Sequence, residues 1–512
     1  WVRSQVVNGT DLHPYISPLA DTYSTDRLRT HPLPRTVLTV LPLCRMTSHL
    51  DEKLSVSDIC CMFPNAQDAF PLPKRPNLER YKKLAKNLVR ACKSADEAAI
   101  DDWAEKWVTT LVKQSGVKFP RPLPVIISRW TDQVLGFVQR KIIEHNGRCR
   151  LTDAQFIIAC SHGFDSWTKF SRHLHGLTQK NSAIARFEAA ADAIVKGNIK
   201  TLKRLLRDDP QLVHARSTRE HGATLLHYVS ANGVEGYRQK TPGNIVEITG
   251  LLLKTGAEVD AEADVYGGGA TTLGLAATSV HPYRAGVQNE LMQLLLDYGA
   301  VIDHRTAGGH QQDAVLSALN NGRGAAAAYL ADRGARLNLP SAAGVGRVDE
   351  VKSYFNEDGT RKAKTSQKQV QRAFLYACNW GRNNVIEFLL DKGIDLEDGG
   401  EGGQTGLHCA VIGGHIDTIK LLLTLNPPLE LRNMYGGTVL GQTLWSAAHG
   451  GDPKAYAEIV KMLIAAGAKV PPRHVPVNKP IDDLLRSYGS EPEPTWYWYG
   501  ETPRQVAVEQ KR

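Results

Sequence analysis

The sequence predicts an all-α fold: a solenoid of stacked helix pairs with β-turn fingers, preceded by a small helical domain. Three observations carry that reading. A Gly-x-Thr step leading into a short apolar helix recurs along the last two-thirds of the chain, as in Gly222-Ala-Thr-Leu-Leu-His227 and Gly403-Gln-Thr-Gly-Leu-His408. A second apolar helix ending in Gly and a small residue recurs in the same order, as in Leu294-Leu-Leu-Asp-Tyr-Gly-Ala300 and Met462-Leu-Ile-Ala-Ala-Gly-Ala468. Upstream, apolar positions from Leu78 to Cys92 fall at helical spacing with lysines and arginines between them. One such helix pair cannot bury both its faces, so neighbours must stack side by side.

Residues 1–77 contain nine prolines and no sustained helical period, which predicts a poorly ordered leader. The first residue is Trp, and Met46 or Met62 is read as an alternative start that would leave the preceding residues non-native. Residues 78–180 form the basic helical domain. Its second helix spans about 96–113 with Trp103 and Trp107 on one face, and the run Pro120-Arg-Pro-Leu-Pro124 stops it. A helical hairpin then turns at Gly163. A DNA-reading helix would offer Arg, Asn or Gln in its first turns, whereas Phe164, Trp167 and Phe170 ask for burial.

The repeat occupies residues 186–470. Thr405-Gly-Leu-His-Cys-Ala-Val-Ile-Gly-Gly-His-Ile-Asp-Thr-Ile-Lys-Leu-Leu-Leu423 resembles almost a whole ankyrin repeat, lacking only the Pro of the T-P-L-H-x-A core. The helical region and the Tyr-Gly-Gly fingers look like those of bacterial ankyrin-repeat proteins. Thr224 and Thr405 are expected to cap the first helix of their units, and His227 and His408 to bond backbone in the neighbouring turn. Gly414 is expected to end a first helix, and Gly256, Gly299, Gly334 and Gly467 to end second helices. About seven units follow, starting near Phe187, Gly222, Gly269, Asp313, Gln371, Gly403 and Gly441. Val234 to Asn244 is read as an insertion, Ala342 to Gly359 as one shrunken repeat, and Thr360 to Lys368 as a solvated basic loop. Residues 471–512 give a closing helix, Ile481 to Tyr488, and an aromatic tail, Trp496 to Pro503.

No catalytic constellation, cofactor loop or metal-ligand spacing is present, and the eight cysteines include no C-x-x-C pair. No apolar run approaches the ~20 residues of a membrane span. A cytoplasmic, monomeric, non-enzymatic protein without cofactor or metal is therefore expected. Residues 1–180 hold 26 Lys+Arg against 17 Asp+Glu, while residues 181–512 hold 36 against 36, so the net +9 resides in the first third.

Resemblance to ankyrin repeats implies a concave face of finger tips and first helices that grips another protein. Tyr266, Arg432, Met434 and Tyr435 on the two long fingers are the expected contacts, since these residue types are enriched at interface hot spots. The tyrosines are equally read as packing on the adjacent finger. The alternative is a regulatory protein whose basic helical domain contacts nucleic acid or another acidic partner.

Overall fold

The computed structural model describes residues 65–492, apart from residues 74, 95, 97, 118–122, 180, 310 and 311. The expected aromatic tail and most of the expected leader lie outside the described residues.

Five helices make the N-terminal domain: α1 (Leu78–Cys92), α2 (Ala99–Ser115), α3 (Leu123–Glu144), α4 (Leu151–Ser161) and α5 (Trp167–Thr178). Asn77 starts α1 by accepting hydrogen bonds from Glu79 N and Arg80 N at 2.8 and 3.3 Å. Tyr81, Ala85 and Leu88 form its buried stripe, while Lys83, Lys86 and Arg90 face solvent. The core between the helices is aromatic. Phe70 stacks on Trp130 at 4.5 Å, and His162 stacks on Phe170 at 5.2 Å.

Two features differ from the sequence reading. Residues 65–73, expected to belong to the leader, are part of this core: Ala69 and Phe70 are buried, and Phe70 N donates to Ser161 O at 2.7 Å. An apolar Ala-Phe pair within proline-rich surroundings carries no helical period, so periodicity misses it. α2 ends at Gly116, φ 68°, rather than at the prolines, and Leu123-Pro124 open the unanticipated α3, where Pro124 occupies the first turn and its missing N–H costs nothing.

The stack then follows as α6 (Ala183–Val195) with α7 (Ile199–Asp208), and a 3₁₀ turn Leu225–Ser230 with α8 (Ile245–Lys254). Next come α9 (Thr272–Thr278), the short α10 (Val280–Arg284) and α11 (Gln288–Asp297), then α12 (Ala314–Asn320) with α13 (Gly324–Asp332). The last four pairs are α14 (Leu339–Val345) with α15 (Val348–Lys352), α16 (Gln367–Asn379) with α17 (Asn383–Leu390), α18 (Gly406–Gly413) with α19 (Ile416–Leu423), and α20 (Val439–Ala448) with α21 (Pro453–Ala465). The last helix among the described residues, α22 (Lys479–Ser487), buries Ile481 and Leu485 at the end of the stack. Leu252, Leu291, Leu295 and Leu330 mark the apolar seam of the first four units and Val351, Leu389, Ile419 and Leu463 that of the last four, with Leu337 packed against both.

The units number eight among the described residues. The eighth is Leu339–Lys352, which overlaps the stretch Ala342 to Gly359 read as one shrunken repeat and is compact because α15 has only five residues. The last unit starts at Thr438, whose side chain accepts from Gly441 N at 3.2 Å. Thr443 of the Gly-Gln-Thr step lies inside α20, its hydroxyl donating to Val439 O. Residues 360–364 are exposed, as expected of a solvated basic loop, but the loop is braced. Lys362 N donates to Tyr354 O at 3.1 Å, Asn356 N to Thr360 O at 2.8 Å, and Gln367 and Lys368 already belong to α16.

Close packing sets one testable cost. A Cβ on Gly324, the first residue of α13, would lie 2.2 and 2.8 Å from two ring carbons of Trp380, an indole held in the stack. Gly324→Ala is expected to destabilise the protein by about 1–3 kcal/mol, the usual range for overpacking. An unchanged urea midpoint would show that the indole moves aside freely.

Candidate partner-binding surface

Two fingers are each locked to the next by a Thr–His pair. His227 Nδ1 accepts the Thr224 N–H at 3.0 Å, which places the ring proton on Nε2, and Nε2–H donates to Ala270 O at 3.2 Å in the following finger. His408 repeats the arrangement, accepting from Thr405 N at 3.3 Å and donating to Gly437 O at 3.3 Å. Burial pushes both imidazoles down to about 4, so each is neutral near pH 7. Gly414 ends α18 with φ 68°, and Gly256, Gly299, Gly334 and Gly467 leave their helices at φ 85–100°.

On this frame the finger before α20 is rigid. Asn433, which the sequence reading passed over, is the strut: its buried side-chain oxygen accepts from Tyr435 N and Gly437 N, both at 3.0 Å, and its amide donates to Gln442 Oε1 at 3.1 Å. Arg432 donates to Gly436 O at 2.6 Å across the tip. Met434 N donates to Gly402 O, and the Met434 side chain stands 55% exposed beside Gly402. Arg432 is exposed and Tyr435 half-buried, so these three expected contact residues share one braced tip.

Tyr266 does not join them. It sits at φ 55°, and its hydroxyl, 3.0 Å from Gln67 Oε1 and 2.7 Å from Asn232 Oδ1, ties its finger to the N-terminal domain. This tyrosine packs, but its hydroxyl meets Gln67 and Asn232 rather than the adjacent finger. Its partner Gln67 lies in the segment read as a leader, so the sequence offered nothing for it to clasp.

A second feature escaped the sequence reading. Glu188 on α6, Arg219 on the first finger, and Glu235 and Arg238 from the expected insertion meet in one buried cluster. Arg219 lies 2.6 Å from Glu188 and 2.9 Å from Glu235, while Arg238 lies 2.8 Å from Glu188, 2.8 Å from Asp192 and 3.2 Å from Glu235. Burial by itself would raise the glutamates, but the two guanidinium groups outweigh it, leaving Glu188 at about 2 and Glu235 well below the carboxylate range. The cluster faces the N-terminal domain. Arg219 lies over the Phe164 ring at 5.6 Å, His173 Nδ1 lies 2.7 Å from the Thr218 hydroxyl, and Glu220 N donates to Gly163 O. Four charges scattered over 50 residues form no motif, and only folding brings them together.

Stacked helix pairs, histidine-locked fingers and a braced tip define a repeat protein. The ankyrin-repeat family description matches residues 339–433 and 374–474, with three copies. Notch-regulated ankyrin repeat-containing protein of Homo sapiens is 32% identical over 103 residues, 19% of this chain and 83% of that protein. Its Xenopus tropicalis counterpart is 31% identical over the same shares. Inversin of Danio rerio is 43% identical over 53 residues, 10% of this chain and 5% of inversin. The chain belongs to the ankyrin-repeat family, and its repeats are protein-interaction modules. These relatives are vertebrate and give the expected bacterial likeness no support. Among the described residues no helix is long and apolar enough to cross a membrane.

Proposed function

We propose that this chain is a monomeric, non-enzymatic scaffold that binds a protein partner through the finger tips of its last repeats. The braced tip at 432–437 supports this reading. An exposed methionine beside an exposed arginine offers apolar area and a directional donor. The Asn433 strut has already fixed the backbone that carries them, so ordering the tip costs little on binding. The repeats hold the tip in register, and the N-terminal helices, joined to the first finger and the expected insertion, close the other end of the stack.

Arg432→Ala with Met434→Ala is expected to weaken capture of the co-purifying partner by about tenfold or more, the loss of a hot-spot pair, while the melting temperature stays within a degree or two. Mass spectrometry of proteins retained by the full chain and by the variant reads both results. Equal retention by a folded variant removes the tip from the interface.

A further inference from the structure

From the charge and shape of one groove we infer that the stack takes a short acidic segment of its protein partner between the loop before α16 and the C-terminal end of α17. The inference rests on the interaction reading above and adds the chemistry of what is bound.

The groove has a volume of about 580 Å³, within the range of ligand-sized clefts, and is lined by Phe355, Thr360, Arg361, Lys362, Thr365 and Lys392 together with Asp391, two glycine and alanine positions aside. Its cations are held from different elements. Arg361 donates to Thr365 O at 3.0 Å and is paired through its backbone with Phe355, which fixes the loop. The Lys392 ammonium lies 5.0 Å from the Phe388 ring and 5.9 Å from Phe355, over two aromatic rings that meet edge to face at 5.3 Å. Lys362 is exposed at the mouth, with Lys364 and Lys368 exposed on the approach.

This local excess stands out against the stack around it. Residues 355–372 carry five cations (Arg361, Lys362, Lys364, Lys368, Arg372) against Glu357 and Asp358, a net +3, although residues 181–512 balance to zero. The next finger reverses the sign: Asp391, Asp395, Glu397 and Asp398 against Lys392 give −3. That finger is fastened directly beside α16, since Gln371 Nε2 donates to Asp395 O at 2.7 Å and Asp398 O at 3.1 Å.

Two consequences select the ligand. The acidic finger repels any polyanion longer than the groove, which favours a few carboxylates flanked by neutral or basic residues over a nucleic-acid strand. The amides at the start of α16 are already served locally, Gln369 N by Ser366 Oγ in a capping box, so the groove recognises charge through side chains and not through a backbone nest. Like charge on the adjoining finger also gives specificity, because the wrong charge pattern is rejected as well as the right one attracted.

The test uses the full chain and a fluorescein-labelled Gly-Lys-Glu-Asp-Glu-Glu-Lys-Gly peptide, with a 20-base single-stranded DNA as the second probe, both read by fluorescence anisotropy. The wild type is expected to bind the peptide, more weakly as salt rises. Arg361→Glu with Lys362→Glu should raise Kd by about tenfold or more, while Lys461→Glu, an exposed cation on α21, leaves it unchanged. Lys362→Glu alone, at an exposed side chain, repeats the test without touching the Arg361 loop bond and should give a smaller loss of the same sign. No peptide binding, or binding that survives both reversals, overturns the proposal. So does DNA that outcompetes the peptide and is lost in the same variants, which would give the groove to nucleic acid. Partners that leave the Arg432 and Met434 variant yet stay on the reversed-charge variant would keep the interaction reading and discard the groove. A chain that retains no protein at all would discard the interaction reading, and the peptide assay would still decide the groove.

Discussion

Arg219→Met is expected to cost about 3–5 kcal/mol of stability, the range for removing one partner from a buried ion pair. In the wild-type cluster Arg219 and Arg238 together hold Glu188 and Glu235, and Asp192 joins from the edge. Without Arg219, two buried carboxylates share one guanidinium. Water cannot replace the lost charge, because Glu235 and Arg219 are 0 and 3% exposed. The excess negative charge must then be protonated, repelled or exposed, and each route loosens the seam with the N-terminal domain.

The comparison that isolates this mechanism is Arg219→Met with Glu235→Leu. That pair removes one charge of each sign and leaves Glu188 facing Arg238 at 2.8 Å. The double variant is expected to be more stable than Arg219→Met alone, although it carries more changes, because apolar replacement of a whole buried pair is often neutral. Urea titration of the wild type, both single variants and the double variant gives the coupling. Amide exchange at Gly163 to Phe164 and Ser217 to Glu220 should rise in Arg219→Met and return toward wild type in the double variant. Additive losses would show that Arg219 acts by packing on Phe164 and not by charge.

The parts of this fold legible in the sequence are those built from local, repeated physics. Thr405, His408, Gly414 and the Leu421-Leu-Leu423 run each answer a need of their own unit, and the need recurs every 30–40 residues or so, so repetition reveals it. The compact Leu339–Lys352 unit is hard to read because a five-residue helix shows barely one turn of period. The start of the last unit is misplaced by five residues for a different reason: Gly441-Gln-Thr443 imitates the capping step, while the real cap, Thr438, follows Gly436-Gly437. What the sequence hides is long-range. Gln67 meets Tyr266 across 199 positions, and Glu188 meets Arg219 and Glu235 only once α6, the first finger and the expected insertion have folded together. The same holds for the binding surface. Arg432 and Met434 are recognisable as exposed finger residues, whereas the strut that makes them rigid is a buried asparagine between them.

Acidification should unfold this protein well above the pH at which carboxylates titrate. Four buried histidines are held neutral: burial is the largest cause in each, and it brings His162 to about 3 and His173, His227 and His408 to about 4. An unfolded histidine titrates near 6.5. Between those values the unfolded chain binds protons that the folded chain refuses, so stability is complete above about pH 6.5 and falls as pH drops toward 4. At pH 5 each site forfeits about 2 kcal/mol, and the slope near pH 5.5 corresponds to about 3.5 protons taken up on unfolding.

The geometry explains why the folded chain refuses them. Protonation would put a second N–H on His408 Nδ1, where it would face the Thr405 N–H that this nitrogen now accepts, and donor against donor would break the lock between adjacent fingers. The same conflict arises at His227 with Thr224. His408→Gln keeps a side-chain acceptor and donor but cannot titrate. It should therefore be less stable than the wild type at pH 7 by about 1–2 kcal/mol and show a pH slope smaller by about one proton. Urea midpoints at half-unit steps from pH 7.5 to 5 measure both quantities. A wild-type midpoint that stays level from pH 7 to 5 would mean the histidines accept protons in place, and the finger lock would then owe nothing to their neutrality.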